Sequence, residues 1–345
     1  MNKMKRILIN IYQYLSIDKL LIVLKWDTHF NKELDYWLKK KESYKTKELE
    51  KDIRKCYVKY LTSPAEYFLF GFNENQSGEY RGEFLSDKKR IRILKKRCGL
   101  DLFDELSDKY AFYCRTKEYF NRKVAKIKIE KDRSIWDEFS NDLNVCFLKP
   151  LKGTWGVGCS VHSLGNDINR TKVFEYILKA KQGFLVEECI FQCQEMAIWN
   201  ESSCNTIRLP IIYTNSQVRI IQPFLRVGRK GMVVDNAGSG GLFAVIDEKT
   251  GVIKTDGIDK DGNIYTKHPD SNIVFKGSAI PKWNELVILA ERIFKQHLYN
   301  HKYIGFDFAL TDDGWCLIEG NWGQFVGQYI ERRGVKKEFL YHISK

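Results

Sequence analysis

Apolar residues recur at helical spacing through residues 1 to about 105, where Gly and Pro are rare, so this stretch is predicted to be helical. Pro64 starts a helix through Ala65-Glu66-Tyr67, and Asn73 to Gly78 is a loop. The texture changes after about residue 140. Val145-Cys146-Phe147-Leu148 is a short β-like run that ends at Lys149-Pro150, and a glycine-rich loop follows. Ser160 to Leu164 resumes as a strand, 170–181 is helical, and Phe184-Leu185-Val186-Glu187 is another strand. Strand signals then dominate residues 205–255, at Ile207-Leu209, Val218-Ile221 and Phe243-Ile246. Residues 283–299 are predicted as a helix. Phe306-Leu310 and Trp315-Glu319 pair as a hairpin across Asp312-Asp313-Gly314.

The 345 residues suffice for two domains or one composite catalytic unit. Hydrophobic residues at 43% and charged residues at 29% give the balance of a soluble globular protein. No apolar run approaches the ~18 to 20 residues of a membrane span. Ile7 to Tyr12 follows Lys3, Lys5 and Arg6, but no small-residue cleavage site follows and Asp18-Lys19 interrupts the stretch. It is expected to be a helix docked on the protein, the alternative being one resting on a membrane surface. The nine cysteines include no CxxC spacing. They are expected to be reduced thiols in a cytoplasmic protein with at most peripheral membrane contact. The formal charge of +13 suits nucleic acid, anionic lipid or small anions. Runs such as Lys39-Lys40-Lys41 and Lys88-Lys89-Arg90 lack interleaved aromatics, so no nucleic-acid partner is expected.

Three stretches carry candidate chemistry. Lys149-Pro150, then Lys152-Gly153-Thr154-Trp155-Gly156-Val157-Gly158, can bring backbone N–H groups and a lysine to a polyphosphate, or can be a hairpin turn. It is neither a Walker loop nor the dinucleotide glycine pattern. Phe184 to Ile190 is an apolar strand ending in paired acids. It can line an adenine pocket, or be an ordinary strand with a charged end. Asp307, Glu319 and Asn321 all offer oxygen ligands, which Mg²⁺ prefers alongside substrate phosphates. Glu319 and Asn321 are two apart on a strand and point the same way, and the hairpin brings Asp307 alongside.

Taken in this order, and with Asp108-Lys109 ahead of them, these elements resemble the ATP-grasp superfamily. Gln192, Asn205-Thr206-Ile207-Arg208, Leu225 to Gly228, Val234-Asp235-Asn236, Gly240-Gly241, His268-Pro269-Asp270 and Ile280 to Trp283 narrow it. They look like the sugar-transfer-associated ATP-grasp family of bacterial capsule and surface polysaccharide synthesis. The similarity runs over roughly residues 60–330, and the teichuronopeptide-type ATP-grasp family is close behind.

The resemblance implies an α+β fold, with two α+β subdomains carrying antiparallel sheets behind a mainly helical region. The divisions would fall at 1–105, 106–190 and 191–345. It implies ATP and Mg²⁺ as cofactors, with Asp307, Glu319 and Asn321 on the metal. Catalytic roles fall to Arg208, Arg226, Asn236 and Lys149. Nucleotide contacts fall to Lys109, Lys149, Gly153, Thr154, Trp155, Gly156, Gly158, Glu187, Glu188, Cys189, Ile190 and Gln192. The implied reaction is amide formation through an acyl phosphate, between a carboxylate-bearing sugar or glycan and an amine or amino acid. Polysaccharide-assembly glycosyltransferases are implied partners. A kinase on a sugar or lipid-linked intermediate, or a nucleotide-binding scaffold, are the alternatives.

Two departures stand out. Relatives start with alternating strands and helices, whereas this chain starts with helices. Several amide-forming relatives carry arginine two residues before the metal aspartate, where this chain has Gly305. Arg208 or Arg226 must then serve the reacting phosphoryl group, although Arg208 can also simply pair with Asp235. Asp307→Asn and Glu319→Gln are expected to abolish turnover and leave the fold intact.

Overall fold

The computed structural model describes residues 17–41, 46–153, 156–214, 217–235, 238 and 240–344. The helix expected at residues 7–12 lies outside them.

The predicted helical start is what the chain builds. Helices Ile17–Val23, Thr28–Lys40, Lys47–Tyr60, Pro64–Leu69, Gly78–Glu83, Asp87–Cys98, Leu100–Glu105 and Lys109–Thr116 follow one another. Asp27, Thr46, Ser63, Ser77, Ser86 and Asp108 precede six of them and accept bonds from first-turn backbone N–H groups. Those are donors that a helix cannot satisfy itself. At Pro64–Leu69, Ser63 and Glu66 form a capping box around the proline. An aromatic core of its own, including Phe30, Trp37, Tyr57, Tyr67, Phe68 and Phe72, holds this region together. The Gln328 side chain joins it to the rest, accepting from Leu85 N–H at 3.0 Å and donating to Leu85 C=O at 3.1 Å.

Two antiparallel sheets follow. The smaller contains β1 (Val124–Ile127), β2 (Val145–Pro150), β3 (Ser160–Ser163) and β4 (Phe184–Glu188), in the order β1-β4-β2-β3. Burial alternates along β2. Cys146 and Leu148 pack with Trp136, Phe174 and Ile177 of the covering helices Arg133–Ser140 and Asp167–Lys179. The period of two therefore leaves Phe147 and Lys149 on the opposite face.

The larger sheet has eight strands: β5 (Thr206–Thr214), β6 (Gln217–Ile220), β7 (Phe224–Val227), β8 (Leu242–Val245), β9 (Gly257–Ile258), β10 (Ile264–Tyr265), β11 (Tyr303–Thr311) and β12 (Gly314–Asn321). Its order is β10-β9-β8-β7-β5-β11-β12, with β6 also paired to β5. Leu286, Ala290, Ile293 and Phe294 of helix Trp283–His297 share one core with Ile207, Leu209, Phe306 and Phe308. The alternate positions, Arg208 and Asp307 among them, face the other way.

The expected hairpin is β11–β12, and the α+β class with antiparallel sheets is correct. β7 was not foreseen as a strand of its own. Only four residues long, it is separated from β6 by Gln222 in the left-handed region (φ 47°). All nine cysteines are unpaired, as expected. Among the described residues no helix is long and apolar enough to cross a membrane.

Candidate active site

The free faces of the two sheets enclose a cleft of about 1000 Å³, lined from both sides and by the Asp87–Cys98 helix. That is room for a nucleotide and a second substrate.

On the small-sheet wall, Lys149 Nζ lies 2.8 Å from Glu187 Oε1. Arg122 clamps Glu187 Oε2 at 2.6 and 2.9 Å, and all three side chains are largely or fully buried. Burial would raise the Glu187 pKa, but Arg122 and Lys149 hold it below its ordinary value. Arg122 went unrecognised in the sequence. It lies 65 residues from its partner, and nothing local marks it. Lys109 Nζ donates to the backbone carbonyls of Gly153 (2.8 Å) and Pro150 (3.3 Å), so it grips the base of the glycine loop. Gly153, Gly156 and Gly158 all have φ between 68° and 135°, conformations that favour glycine. A Cβ on Gly158 would also meet Pro150 at 3.0 Å. Thr154 and Trp155 lie outside the described residues. Glu188, Cys189, Ile190 and Gln192 border the cleft. The Gln192 side chain is fully engaged, donating to Asn200 and Ser203 carbonyls and accepting from Asn205.

On the large-sheet wall, Asp307 stands opposite Glu319 and Gly305 opposite Asn321, with a register shift just after Asp307. Asn321 Nδ2 donates to Glu319 Oε1 at 3.1 Å, which leaves Asn321 Oδ1 available as an acceptor. Asp307 is fully buried. Arg208 binds both its oxygens, with Nη2 at 2.8 Å from Oδ2, and Arg226 Nη2 lies 3.2 Å from Oδ2. Asp235 is therefore not the partner of Arg208. It accepts from the Thr206 hydroxyl and faces Arg226 Nε at 3.5 Å. Asn236 lies outside the described residues.

The three acids titrate differently. Burial works against Asp307, yet Arg208 and Arg226 keep it low. Burial and the Asp307 charge push Glu319 up. Burial raises Asp235 against the pull of Arg226 and Thr206.

Gly305 has a structural reason. Its Cβ would come 3.3 Å from Arg208 Cδ, and one on Gly323 would come 2.2 Å from Arg208 Nη1. The two glycines leave the groove in which Arg208 lies, so the neighbouring strand supplies a guanidinium beside Asp307. His268 Nε2 donates to Gly228 O (2.9 Å), and Asp270 accepts from Arg229 and the Lys230 N–H. His268-Pro269-Asp270 thus clasps the 228–230 loop. His297 pairs with Glu118 at 2.8 Å, away from any zinc pattern.

A divalent metal fits the large-sheet wall. Among the described residues no three His, Cys, Asp or Glu side chains gather at one point. The candidate set is instead two carboxylates and an amide oxygen, all hard donors, which leaves coordination positions for phosphate and water as Mg²⁺ prefers. Burial first, and then the Asp307 charge, disfavour the Glu319 ion against the pull of Lys149, Arg208 and Arg226, and a bound cation would oppose both effects.

The chain belongs to the sugar-transfer associated ATP-grasp family, whose model matches residues 100–343. No curated protein matches it. Among solved structures it is similar to D-alanyl-alanine synthetase A from Vibrio cholerae, at 13% identity and TM-score 0.44, covering 72% of this chain and 67% of that one. It is also similar to N5-carboxyaminoimidazole synthetase from Staphylococcus aureus complexed with ADP (12%, TM-score 0.42, 70% and 52%). D-alanine-D-alanine ligase from Helicobacter pylori gives 12%, TM-score 0.41, 70% and 58%. The chain thus spans little more than half the length of the last two.

Proposed function

We propose that this chain is an ATP- and Mg²⁺-dependent ligase that joins a carboxylate to an amine through an acyl phosphate. The acid is a sugar or glycan carboxylate and the partner an amino acid or other amine, in surface polysaccharide synthesis alongside glycosyltransferases. The observation that carries the proposal is the division of charge across the cleft: a lysine-bearing wall faces an oxygen-donor wall with arginines beneath it.

Each residue has a task in this reading. Lys149, on the face opposite the covering helices, offers its ammonium to phosphate oxygens. Lys109 fixes the glycine loop, whose backbone N–H groups cover the phosphates, and loop closure keeps water from the acyl phosphate. Asp307, Glu319 and Asn321 would hold Mg²⁺, which when bound neutralises and orients phosphate oxygens. Arg226 is more exposed than Arg208 and is the better placed to meet the transferring phosphoryl group or the acid. Arg208 positions Asp307. Glu187, Glu188, Cys189 and Ile190 border the nucleotide, Gln192 shapes that border through its chain position, and Asn236 keeps the catalytic role that the resemblance implies. The divisions at 105 and 190 belong to the same proposal, as does peripheral contact with the inner face of a membrane.

Phosphoryl transfer of this kind depends on positioning and charge neutralisation more than on covalent work by the protein. The test is incubation with ATP, Mg²⁺ and a panel of uronic acids and amino acids, with phosphate release and product mass as readouts. Amine-dependent phosphate release with an amide product is expected. A stable phosphorylated product would make the chain a kinase, and no ATP consumption with any pair would leave a nucleotide-binding scaffold.

A further inference from the structure

The N-terminal helices contribute two charged side chains to the cleft that the reaction above does not use, Asp87 and Arg90. Arg90, on the helix Asp87–Cys98, is 2% exposed and lines the cleft. Its Nη2 donates to Asp87, while its Nε and Nη1 are buried and have no hydrogen-bond partner among the described residues. A guanidinium carries five N–H donors, and burying donors without acceptors costs stability. Stacking compensates in part, since Arg90 Cζ sits 5.5 Å from the Tyr303 ring centroid.

Tyr303 ties this group to the candidate active site. Its hydroxyl donates to Gly323 O at 2.6 Å. Gly323 in turn packs so tightly on Arg208 Nη1 and Asn321 Oδ1 that a Cβ would meet them at 2.2 and 2.9 Å. Arg90, Tyr303, Gly323 and Arg208 are therefore linked by successive contacts. Burial pushes the Tyr303 hydroxyl up to about 12, against the charges of both Arg90 and Arg208.

We propose that Arg90 binds an anionic group on the second substrate: the phosphate of a sugar phosphate or the carboxylate of an amino acid, remote from the carboxyl being activated. This rests on the ligase reading. It gives the helical region a part in substrate choice. The unpartnered guanidinium would gain the acceptors it lacks only when that substrate is present, and its planar fork suits either oxyanion.

The experiment is calorimetric titration of the full chain, first with a non-hydrolysable ATP analogue and Mg²⁺, then with D-glucose 1-phosphate and L-glutamate in separate arms. One of the two probes is expected to bind the wild type, and which one does identifies the source of the anion. Arg90→Gln should weaken that probe about tenfold or more and leave analogue affinity within about twofold. Asp87→Asn removes the one acid on Arg90 and should tighten the probe. The opposite signs separate a binding role from packing damage. Failure of both probes to bind, unchanged binding by Arg90→Gln, or equal weakening by both variants overturns the assignment. Failure of the wild type to bind the analogue sinks the ligase reading instead.

Discussion

Each wall of the cleft buries an acid beneath two cations, but the two walls finish with opposite surpluses. On the small sheet Glu187 alone faces Arg122 and Lys149. On the large sheet Asp307, Glu319 and Asp235 share Arg208 and Arg226. The first wall has a cation to spare, and Lys149 is the one nearer the cleft. The second has three acids to two arginines, and Glu319, raised by burial first and by the Asp307 charge second, is an ion the fold disfavours. Under the proposed function, a polyanion carrying a divalent cation would satisfy both walls at once. Neither wall alone implies it, because buried ion pairs of either kind also occur in purely structural networks.

The sharpest way to break this comparison is to neutralise the two acids of the metal candidate set separately. Asp307→Asn and Glu319→Gln should each reduce amine-dependent phosphate release by about 10²-fold or more. Their stabilities should part. The Asp307 ion is favoured by the fold and holds two arginines, so its loss should cost about 3–5 kcal/mol in urea unfolding. The expectation of an intact fold for this variant thus gives way to a marked loss of stability. The Glu319 ion is disfavoured by burial and by Asp307, so Glu319→Gln should leave the metal-free protein as stable as the wild type or more so. Equal losses in both variants would remove the distinction between a paired acid and a surplus one.

On the opposite wall, Glu187→Gln should cost about 3 kcal/mol at neutral pH, because Arg122 stays buried without its carboxylate. The Glu187 pKa is depressed in the fold. Its contribution is present above the unfolded value near 4.5 and is lost as pH falls through the folded value. The unfolding midpoint of the wild type should therefore fall more steeply below pH 4.5 than that of Glu187→Gln.

Glu319 has the opposite sign. Its raised pKa contributes stability that is complete below about 4.5 and is lost as pH rises through the folded value. Metal-free wild type should lose stability over that interval relative to Glu319→Gln. A flat difference between the two would mean that the Glu319 charge is already balanced.

Local pattern announced the helices, the β11–β12 hairpin and the candidate ligands, because each depends on residues within a few positions of one another. Glu319 and Asn321 share a face by the period of a strand, and Ser63 and Glu66 mark a helix start by the reach of a cap. What the chain order concealed was pairing across sheets. Arg122 meets Glu187 across 65 residues, and Arg208 meets Asp307 across 99. The second contact depends on Gly305 and Gly323 vacating a groove, a requirement that reads in the sequence only as a missing arginine. Arg90 was hidden in a basic run resembling any solvated helix face, and only tertiary packing separates it from Lys88 and Lys89 beside it.

The smallest effect tests whether burial, rather than pairing itself, gives the two walls their strength. Arg229 and Asp270 meet at 2.8 Å in a geometry as close as those inside the cleft, but their side chains are 34% and 24% exposed. The Arg229 bond, helped by the Lys230 N–H, holds the Asp270 pKa near 2. Solvent screening reduces what that depression contributes to stability, so Asp270→Asn should cost under about 1 kcal/mol at neutral pH. The loss should be present above the unfolded value near 3.8 and should vanish as pH falls toward 2. Added salt should shrink it, while the cost of Glu187→Gln should hardly change, since screening reaches exposed pairs far more than buried ones. If salt moved both alike, the wall charges would be behaving as solvated groups, and the argument from their surplus would lose its footing.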